Sequence, residues 1–432
     1  MNIEALYILY TNNRTVSTDT RNITPGSLFF SLKGENFNGN EYAAKALEAG
    51  ASYAVIDDSR YYKNNRYILV QDTLKTLQEL AMYHRAQLTI PIIGITGTNG
   101  KTTTKELLNA VLSQHYVTYC TTGNLNNHIG VPLTLLAIQP DVEIAIVEMG
   151  ANHKKEIEGL CAIAQPTHGL ITNVGRAHLE GFGGFEGVKE AKGELYDFIK
   201  SSKGIIFVDG DNLLLKEMYL SRGIDQAVRY GQGKENEVSG SILSNDPLLT
   251  IEWLSHTERR QLKTNLTGSY NLENILAAVT IGLYFSVPAD EIDLAISSYT
   301  PGNNRSQIIK TAINTLICDY YNANPSSMRV AIDNLNLVHA SKKVLILGDM
   351  FELGANSLEE HQQVVNHALS IPVERRIFIG KEFDALKTDI QAEFYSDVDS
   401  AMNGLSDNPI KDAMILIKGS RGMKMEKLVP IL

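Results

Sequence analysis

The chain contains 432 residues, of which 44% are hydrophobic and 20% are charged. This balance is typical of a soluble protein with packed cores and excludes a disordered, collagen-like or coiled-coil chain. The 39 basic and 49 acidic side chains give a formal net charge of −10, which argues against nucleic acid as the main partner. At roughly 150 residues per domain, the length predicts about three domains.

The cysteines and the N-terminus indicate the compartment. Cys120, Cys161 and Cys318 are widely spaced and form no CxxC pair, so a disulfide framework or a zinc knuckle is not expected. Residues 1–14 lack the features of a signal peptide, and no apolar run approaches the roughly 20 residues that cross a bilayer. We therefore expect a cytoplasmic protein without membrane insertion.

The first predicted domain covers residues 1–88. Short apolar runs alternate with turn-rich pieces and with helical patterns at 42–49 and 73–87, which favours a small α/β unit.

The second predicted domain covers residues 89–302. Helical stretches at 102–112 and 156–164 separate strand-like runs, an alternation that favours a parallel sheet covered by helices on both faces. A polar, β-rich excursion at 229–268 precedes a helix at 271–285. The strand-like runs are IPIIGIT, EIAIVEM, HGLITNV and GIIFVDG.

The third predicted domain, residues 303–432, follows the turn cluster TPGNNR at 300–305. Helices are expected around 326–339 and 358–370, and the pattern indicates a second doubly wound α/β domain. The strand-like runs here are TLICDYY, KKVLILGDM, RRIFIG and AMILIKGS.

Residues 92–108 carry the strongest local signal, a β-branched strand followed by a glycine-rich turn and a helix. Gly97 and Gly100 allow positive φ angles and a close approach of the backbone to phosphate. Lys101 would neutralise phosphate oxygens, and Thr102 or Thr103 would offer a hydroxyl to Mg²⁺. Gly94 lies six positions before Gly100, one more than in GxxxxGK[ST], so a glycine turn before a capped helix remains the alternative to a nucleotide site.

The segment GTNGKTTTK at 97–105 resembles the ATP loop of the Mur ligase family. The resemblance covers all three predicted domains and is specific to the members that add D-alanyl-D-alanine. It rests on STDTR (17–21), GNLNNHIGVPLTLL (123–136), VEMGANHKKEI (147–157), NVGRAHLEGFG (173–183), EAKGEL (190–195), YNLENILAA (270–278), YNANPSSM (321–328), LGDMFELG (347–354) and KGSRGMKME (418–426).

The resemblance implies an α/β protein of three domains. A central parallel-sheet ATPase domain with a phosphate loop would be flanked by a small α/β N-terminal domain and a Rossmann-like C-terminal domain. The implied substrates are ATP, UDP-MurNAc-tripeptide and D-Ala-D-Ala, with Mg²⁺ as the metal. The tripeptide carboxylate would attack the γ-phosphate, and the dipeptide amine would then attack the resulting acyl phosphate.

The resemblance also implies a metal and catalytic set. Glu148 ends the strand EIAIVEM and would hold the first Mg²⁺ with Thr102, since hard oxygens suit this ion; an acid near a helix start is the alternative. His178 would bind a second Mg²⁺, although nitrogen is a second-best ligand for it. Lys192 would be carbamylated, and Lys101 would assist catalysis at the phosphates.

A nucleotide set is implied in the same way. Asn271 and Asn274 lie three apart on one helix face and resemble adenine readers; a helix cap is the alternative for Asn271. Arg305 resembles an arginine that reaches ATP from the third domain, although the family context is closer to PGR than to the PGNNR found here. Asp319 resembles a ribose contact. The phosphate loop would supply Gly97, Thr98, Asn99, Gly100, Lys101, Thr102 and Thr103.

The remaining expected site residues would hold the two other substrates, with loop and turn chemistry as the alternative for each. The UDP end would be held from the first domain, the sugar and phosphate end by an asparagine pair, and D-Ala-D-Ala by the third domain. In that order they are Ser17, Asp19, Arg21, Asn38 and Gly39; Asn126 and Asn127; and Tyr321, Asn322, Asn324, Pro325, Asp349, Ser420 and Arg421.

Three other functions are weighed against this one. A sibling ligase adding the third amino acid would carry a DNPR-like signature, where this chain has YNANP. In a folylpolyglutamate synthase, the first domain would have no role. A switch protein that hydrolyses nucleotide would need no pocket for an amine. We further expect a monomer in which domain closure assembles the site.

Overall fold

The computed structural model describes residues 2–387 and 391–432. It has the predicted α/β class, with three main sheets of four, nine and six strands and one two-stranded hairpin among the described residues. In the same ranges no helix is long and apolar enough to cross a membrane.

The N-terminal part builds a parallel sheet in the order β1-β2-β5-β6. Helix α3 has the predicted bounds, because Asp72 caps its first turn by accepting from Lys75 N and its Leu77, Leu80 and Ala81 recur at helical spacing and are buried. The elements are α1 Ile3–Thr11, β1 Val16–Ser17, β2 Leu28–Phe30, β3 Lys33–Gly34, β4 Phe37–Asn38, α2 Ala43–Glu48, β5 Tyr53–Ile56, β6 Tyr67–Leu69 and α3 Thr73–Gln87.

The central part forms a sheet in the order β15-β14-β13-β12-β11-β10-β7-β9-β8. It is parallel from β13 to β8, and its other end is the predicted β-rich excursion, where β13, β14 and β15 pair antiparallel. The elements are β7 Ile92–Thr96, α4 Lys101–Leu112, β8 Thr118–Cys120, α5 Gly130–Leu136, β9 Ile144–Glu148, α6 Glu156–Ala164, β10 His168–Ile171, α7 Leu179–Phe182, α8 Phe185–Ser201, β11 Ile205–Asp209, α9 Leu213–Ser221, β12 Ala227–Gly231, β13 Val238–Asn245, β14 Leu249–Leu254, β15 Arg259–Lys263, α10 Asn271–Tyr284 and α11 Ala289–Ser298.

Helices cover both faces of this sheet, as the continuous apolar strands predict. In β7, Ile92 packs into one hydrophobic cluster, whereas Ile93 and Ile95 pack into a second one. The first cluster also contains Leu6 and Leu28 of the N-terminal part. The N-terminal and central parts therefore share a continuous core.

The C-terminal part is a six-stranded sheet in the order β16-β17-β21-β18-β19-β20, parallel except for β16 with β17. Separate hydrophobic clusters lie on its two faces. The elements are β16 Gln307–Lys310, β17 Thr315–Asp319, α12 Pro325–Leu337, β18 Lys343–Gly348, α13 Ser357–Ser370, β19 Arg375–Ile379, α14 Lys381–Asp384, β20 Glu393–Tyr395, α15 Val398–Asp407 and β21 Met414–Lys418.

The strand order locates a crevice in the central sheet. From β7 the chain runs to β8 and β9 on one side and then returns to β10 on the other. In open α/β sheets, ligands bind beyond the carboxyl ends of the strands at such a reversal. The loops after β7, β9 and β10 all open at this point.

Candidate functional site

The loop between β7 and α4 has the backbone that its glycines predict. Gly97 has φ +143° and Gly100 has φ +79°, both in the region that favours glycine. A Cβ on Gly97 would lie 2.0 Å from Thr172 Oγ1, so a side chain does not fit there. Helix α4 begins at Lys101, and its first N–H groups are available to an anion.

The Lys101 side chain folds back over this loop. Its Nζ donates to the carbonyls of Gly97 at 2.7 Å and Thr98 at 3.0 Å. Burial lowers the pKa of Lys101 to about 8, against the opposing effect of Glu148. The lysine is thus held at the loop, close to where phosphates would lie.

Neutral side chains from the loop after β10 fix the back of the phosphate loop. Asn173 Oδ1 accepts from Asn99 N at 2.9 Å, and Thr172 Oγ1 donates to Asn99 O at 2.6 Å. Asn173 was not among the predicted site residues, although it lies in the segment NVGRAH, directly after a predicted strand.

Thr102 and Glu148 lie together at the end of β9. Thr102 Oγ1 donates to Glu148 Oε2 at 3.0 Å, and Asn126 Nδ2 donates to Glu148 Oε1 at 2.9 Å. Glu148 is 1% exposed. A carboxylate and a hydroxyl are hard oxygen donors, so this pair fits Mg²⁺.

Within residues 2–387 and 391–432, no three His, Cys, Asp or Glu side chains converge as a metal site. Magnesium is commonly held by one or two carboxylates together with substrate phosphates and water. The Thr102–Glu148 pair beside the phosphate loop matches that arrangement.

His178 and Lys192 lie on the same side of the site. His178 has a left-handed φ of +50°, and its Nδ1 lies against the carboxylate of Glu352 of the C-terminal part. Burial is the main cause that lowers its pKa, and Glu352 opposes the shift. Lys192 is 2% exposed; burial, and then the charge of Lys101, lower its pKa to about 7.

Asn271 and Asn274 face the phosphate-loop helix from the start of α10. Thr104 Oγ1 donates to Asn274 Oδ1 at 3.0 Å, and Asn274 Nδ2 donates to Asn271 Oδ1 at 2.9 Å. A Cβ on Gly100 would lie 2.7 Å from Asn274 Oδ1. The two amides are therefore packed directly against the loop.

This chain of buried amides continues into the C-terminal part. Asn271 Nδ2 donates to Thr267 O at 2.7 Å, and Thr267 Oγ1 accepts from Asn334 Nδ2 of α12 at 3.2 Å. Asn334 Oδ1 in turn accepts from Asn245 Nδ2 at 2.9 Å. Hydrogen bonds thus connect the phosphate-loop helix with the helix that follows YNANP.

Arg305 enters the site from the linker before β16. Its guanidinium lies 3.8 Å from the ring centroid of Tyr321, a cation–π arrangement. Asp319, at the end of β17, accepts from Ser306 N at 3.1 Å and pairs with Lys418 Nζ at 2.6 Å. Lys418 ends β21 within KGSRG, and its position at a strand end was a signal that the sequence analysis did not use.

Asn324 joins the third domain to the phosphate loop. Its Nδ2 donates to Asn99 Oδ1 at 2.8 Å, while its Oδ1 accepts from Ser327 N and caps α12. Nearby, Asn322 Oδ1 accepts from Ala323 N at 2.9 Å. A residue expected to bind D-Ala-D-Ala thus contacts the loop expected to bind ATP.

A cavity of about 1030 Å³ opens between these groups. Its lining includes every predicted residue of the central part and several from the C-terminal part. The predicted residues that line it are Gly97, Thr98, Asn99, Gly100, Lys101, Thr102, Thr103, Asn126, Asn127, Glu148, His178, Lys192, Asn271, Asn274, Arg305, Asp319, Tyr321, Asn322 and Asn324.

Four predicted residues of the C-terminal part lie outside this lining: Pro325, Asp349, Ser420 and Arg421. Pro325 is the first residue of α12. Asp349 accepts from the backbone N–H groups of Glu382 and Phe383 at the start of α14, and burial raises its pKa. Ser420 Oγ accepts from the backbone of the loop after β18. Arg421 pairs with a glutamate at 3.8 Å and lies 6.0 Å from the Tyr321 ring centroid.

The predicted residues of the N-terminal part are also absent from this lining. Arg21 pairs with Asp19 at 2.6 Å on the surface and lowers the Asp19 pKa to about 2, while Ser17 Oγ donates to Asp19 O. Asn38 caps a short 3₁₀ turn that begins at Gly39. Ser17 lies in β1, an edge strand of the first sheet, and Asn38 ends β4 of the separate two-stranded hairpin.

Comparisons with known proteins match the chain along its length. Three family models match successive parts: "Mur ligase family, catalytic domain" at 14–85, "Mur ligase middle domain" at 95–282, and "Mur ligase, glutamate ligase domain" at 304–421.

Two relatives carry the same name, UDP-N-acetylmuramoyl-tripeptide–D-alanyl-D-alanine ligase. The protein from Bacillus subtilis (strain 168) is 36% identical over 430 residues, and the one from Escherichia coli (strain K12) is 34% identical over 427. Each match covers 96% of this chain and 92% of the relative.

Solved structures agree with these matches. A crystal structure of MurF from Acinetobacter baumannii has a TM-score of 0.85 at 30% identity, covering 96% of this chain and 92% of its own. The MurF ligase from Thermotoga maritima in complex with ADP has the same TM-score at 24% identity, covering 97% and 96%.

Proposed function

The chain belongs to the Mur ligase family, and we propose that it joins D-Ala-D-Ala to UDP-MurNAc-tripeptide at the expense of ATP, in peptidoglycan synthesis. The products are UDP-MurNAc-pentapeptide, ADP and phosphate. The observation that carries this function is the hydrogen bond of 2.8 Å between Asn324 and Asn99. It brings the YNANP segment of the third domain directly against the phosphate loop, where an amine must meet an activated carboxylate.

The reaction has two bond-forming steps. A carboxylate oxygen of the tripeptide attacks the γ-phosphorus and ADP leaves, which gives an acyl phosphate. The dipeptide amine then attacks the acyl carbon, loses a proton and expels phosphate. Negative charge develops in the transition state of both steps. Fixed cations close to the phosphates therefore lower the activation barrier.

Lys101 and Arg305 supply fixed positive charge to this site. Lys101 is anchored to the loop carbonyls, and Arg305 is braced on the Tyr321 ring. Both side chains are therefore held in place before substrate arrives, which reduces reorganisation during the reaction.

Mg²⁺ is part of the proposal. Thr102 and Glu148 would hold the ion, which would supply positive charge against the negative charge that develops in the reaction. His178 would support a second ion. Lys192 would act as a carbamate, because an amine with a pKa of about 7 is largely neutral near pH 8 and can react with CO₂.

The remaining assignments follow the family. Asn271 and Asn274 would read adenine and Asp319 the ribose, while Asn126 and Asn127 would contact the sugar and phosphate end. The UDP group would be held by Ser17, Asp19, Arg21, Asn38 and Gly39, and D-Ala-D-Ala by Tyr321, Asn322, Asn324, Asp349, Ser420 and Arg421.

We further propose a cytoplasmic monomer with domain boundaries near residues 88 and 302. Side chains outside the cavity, such as Asp349 and Arg21, would contribute to binding when domains move relative to one another. X-ray scattering with an ATP analogue and UDP-peptide tests this movement, and an unchanged profile would contradict it.

Phosphate release tests the function directly. The assay contains UDP-MurNAc-tripeptide, ATP, Mg²⁺ and D-Ala-D-Ala, and each is omitted in turn. We expect release only with all four, together with a product heavier by one dipeptide. Release that needs a free amino acid instead would indicate a sibling ligase, and release from ATP alone would indicate a hydrolysing switch.

A matched pair of variants links the activity to this cavity. Lys101→Met removes the charge at the phosphate loop and should abolish release. Glu235→Gln removes a charge from an exposed loop of the same domain and should leave release unchanged.

A further inference from the structure

The linker between α11 and β16, residues 299–306, has an unusual backbone. Asn304 and Ser306 both adopt left-handed conformations, with φ +57° and +53°. Residues other than glycine hold such conformations only where surrounding contacts impose them. The contacts that hold this linker are therefore of functional interest.

Glu106 supplies two of these contacts from the second turn of the phosphate-loop helix α4. Its Oε2 accepts from Tyr299 Oη at 2.6 Å, and its Oε1 accepts from Asn303 Nδ2 at 2.7 Å. Both are charge-assisted hydrogen bonds, the stronger kind. One carboxylate thus ties two points of the linker to the helix that begins at Lys101.

Arg305 lies two residues beyond Asn303 and reaches the cavity. Its guanidinium stacks on Tyr321 at 3.8 Å, and its charge contributes to the lowered pKa of Lys101. Its Nε is buried and has no hydrogen-bond partner among the described residues. This arginine therefore lines the cavity within electrostatic range of Lys101.

The following residue fixes the other side of Arg305. Ser306 N donates to Asp319 Oδ1 at 3.1 Å, and Ser306 Oγ hydrogen-bonds with Tyr270 Oη. Arg305 is thus held between an anchor on the phosphate-loop helix and an anchor at the end of β17.

We propose that Glu106 is a positioning residue, which ties the linker to the phosphate-loop helix and thereby holds Arg305 at the nucleotide. Glu106 itself acts only through the linker. This inference rests on the proposed function, because it requires a nucleotide at the phosphate loop.

Glu106→Gln is the central test. The carbonyl oxygen of the glutamine can still accept one hydrogen bond from the linker. Its NH₂ group takes the place of the second acceptor and faces a linker donor, so the second hydrogen bond is lost. ADP binding is measured by calorimetry in the presence of Mg²⁺. We expect about tenfold weaker ADP binding, because Arg305 is no longer held at the nucleotide, together with a lower melting temperature in the absence of nucleotide, because the lost hydrogen bond is also present there.

Two linker variants and one control accompany it. Asn303→Ala and Tyr299→Phe each remove one of the two linker contacts and should each weaken ADP binding by a factor similar to that of Glu106→Gln. If Glu106→Gln unfolds, Asn303→Ala serves in its place, since it removes a single contact at the linker. Glu235→Gln, a charge removal on an exposed loop, should bind ADP like the wild type.

A double-mutant cycle with Arg305→Ala separates positioning from a general structural role. If Glu106 acts through Arg305, adding Glu106→Gln to Arg305→Ala weakens ADP binding no further. Additive losses, or wild-type affinity in Glu106→Gln, would overturn the inference. Failure of the wild type to bind ADP would overturn both the inference and the proposed function.

Discussion

Replacing Lys192 with methionine is expected to stabilise the central domain while it abolishes ligation. Lys192 is 2% exposed, and its pKa falls from 10.5 to about 7 because its ammonium is buried beside Lys101. Folding at pH 8 must therefore remove a proton that the unfolded chain keeps. Methionine has a similar length and needs no such deprotonation.

The magnitude follows from the two pKa values. Between pH 7 and 10.5 the unfolded state holds one more proton at Lys192 than the folded state does, so the stability of the wild type rises with pH by about 1.4 kcal/mol per unit. At pH 8, the pKa of 10.5 for Lys192 in the unfolded chain lies 2.5 units above the pH. Removing the proton on folding therefore costs about 3 kcal/mol, and Lys192→Met avoids this cost. This advantage should shrink to zero near pH 10.5.

Urea unfolding can be followed in the relevant domain alone. The chain has one tryptophan, Trp253, which is buried in β14 of the central domain and donates to Asp293 at 2.8 Å. Its fluorescence in CO₂-free buffer at several pH values gives the free energy of unfolding of the two proteins. A difference that stays constant between pH 7.5 and 10 would refute a buried, neutral Lys192.

Bicarbonate provides the second comparison. A carbamate on Lys192 forms only in the folded protein, so added bicarbonate at constant pH should stabilise the wild type by mass action. Lys192→Met should show no such response. Equal responses of the two proteins would contradict the carbamate.

Three further predictions concern the domain boundary and the metal. Arg176→Ala leaves the buried Glu360 carboxylate without its partner at 2.7 Å, and X-ray scattering should show a larger radius of gyration; an identical profile would mean that this ion pair does not hold the domains together. Asn334→Val leaves its hydrogen-bond partners unsatisfied and should cost about 1–3 kcal/mol in unfolding free energy, so wild-type stability would contradict a role for this amide. Glu148→Gln removes the negative charge beside Thr102, and calorimetric ADP binding should lose its dependence on Mg²⁺; a retained dependence would place the ion elsewhere.

Local features of the fold could be predicted from sequence, because their causes are local. Helix α3 has the predicted bounds, since its cap at Asp72 and its apolar spacing lie within the same 16 residues. The positive φ angles of Gly97 and Gly100 were likewise expected, because the turn before α4 demands them. Glu148 ends its strand as predicted, since a continuous apolar run precedes it.

Contacts between distant segments could not be predicted in this way. Arg176 and Glu360 are 184 residues apart, and Glu106 and Asn303 are 197 apart. No periodicity or cap signal connects such pairs, because their meeting depends on how two domains pack. The same reason explains why Asn173 and Lys418, both at strand ends, did not stand out until the strands were assembled.

The distribution of polar groups around the phosphate loop follows from electrostatics. Neutral amides hold the back of the loop: Asn173 and Asn324 bind Asn99, and Asn274 accepts from Thr104. Charged side chains at the same positions would change the net charge that the protein presents to a triphosphate. Basic side chains would add positive charge, and acidic side chains would cancel part of it. Amides fix the geometry without changing that balance. The cations that line the cavity thus remain available to the nucleotide, while Glu106 of the same helix accepts its hydrogen bonds from the linker.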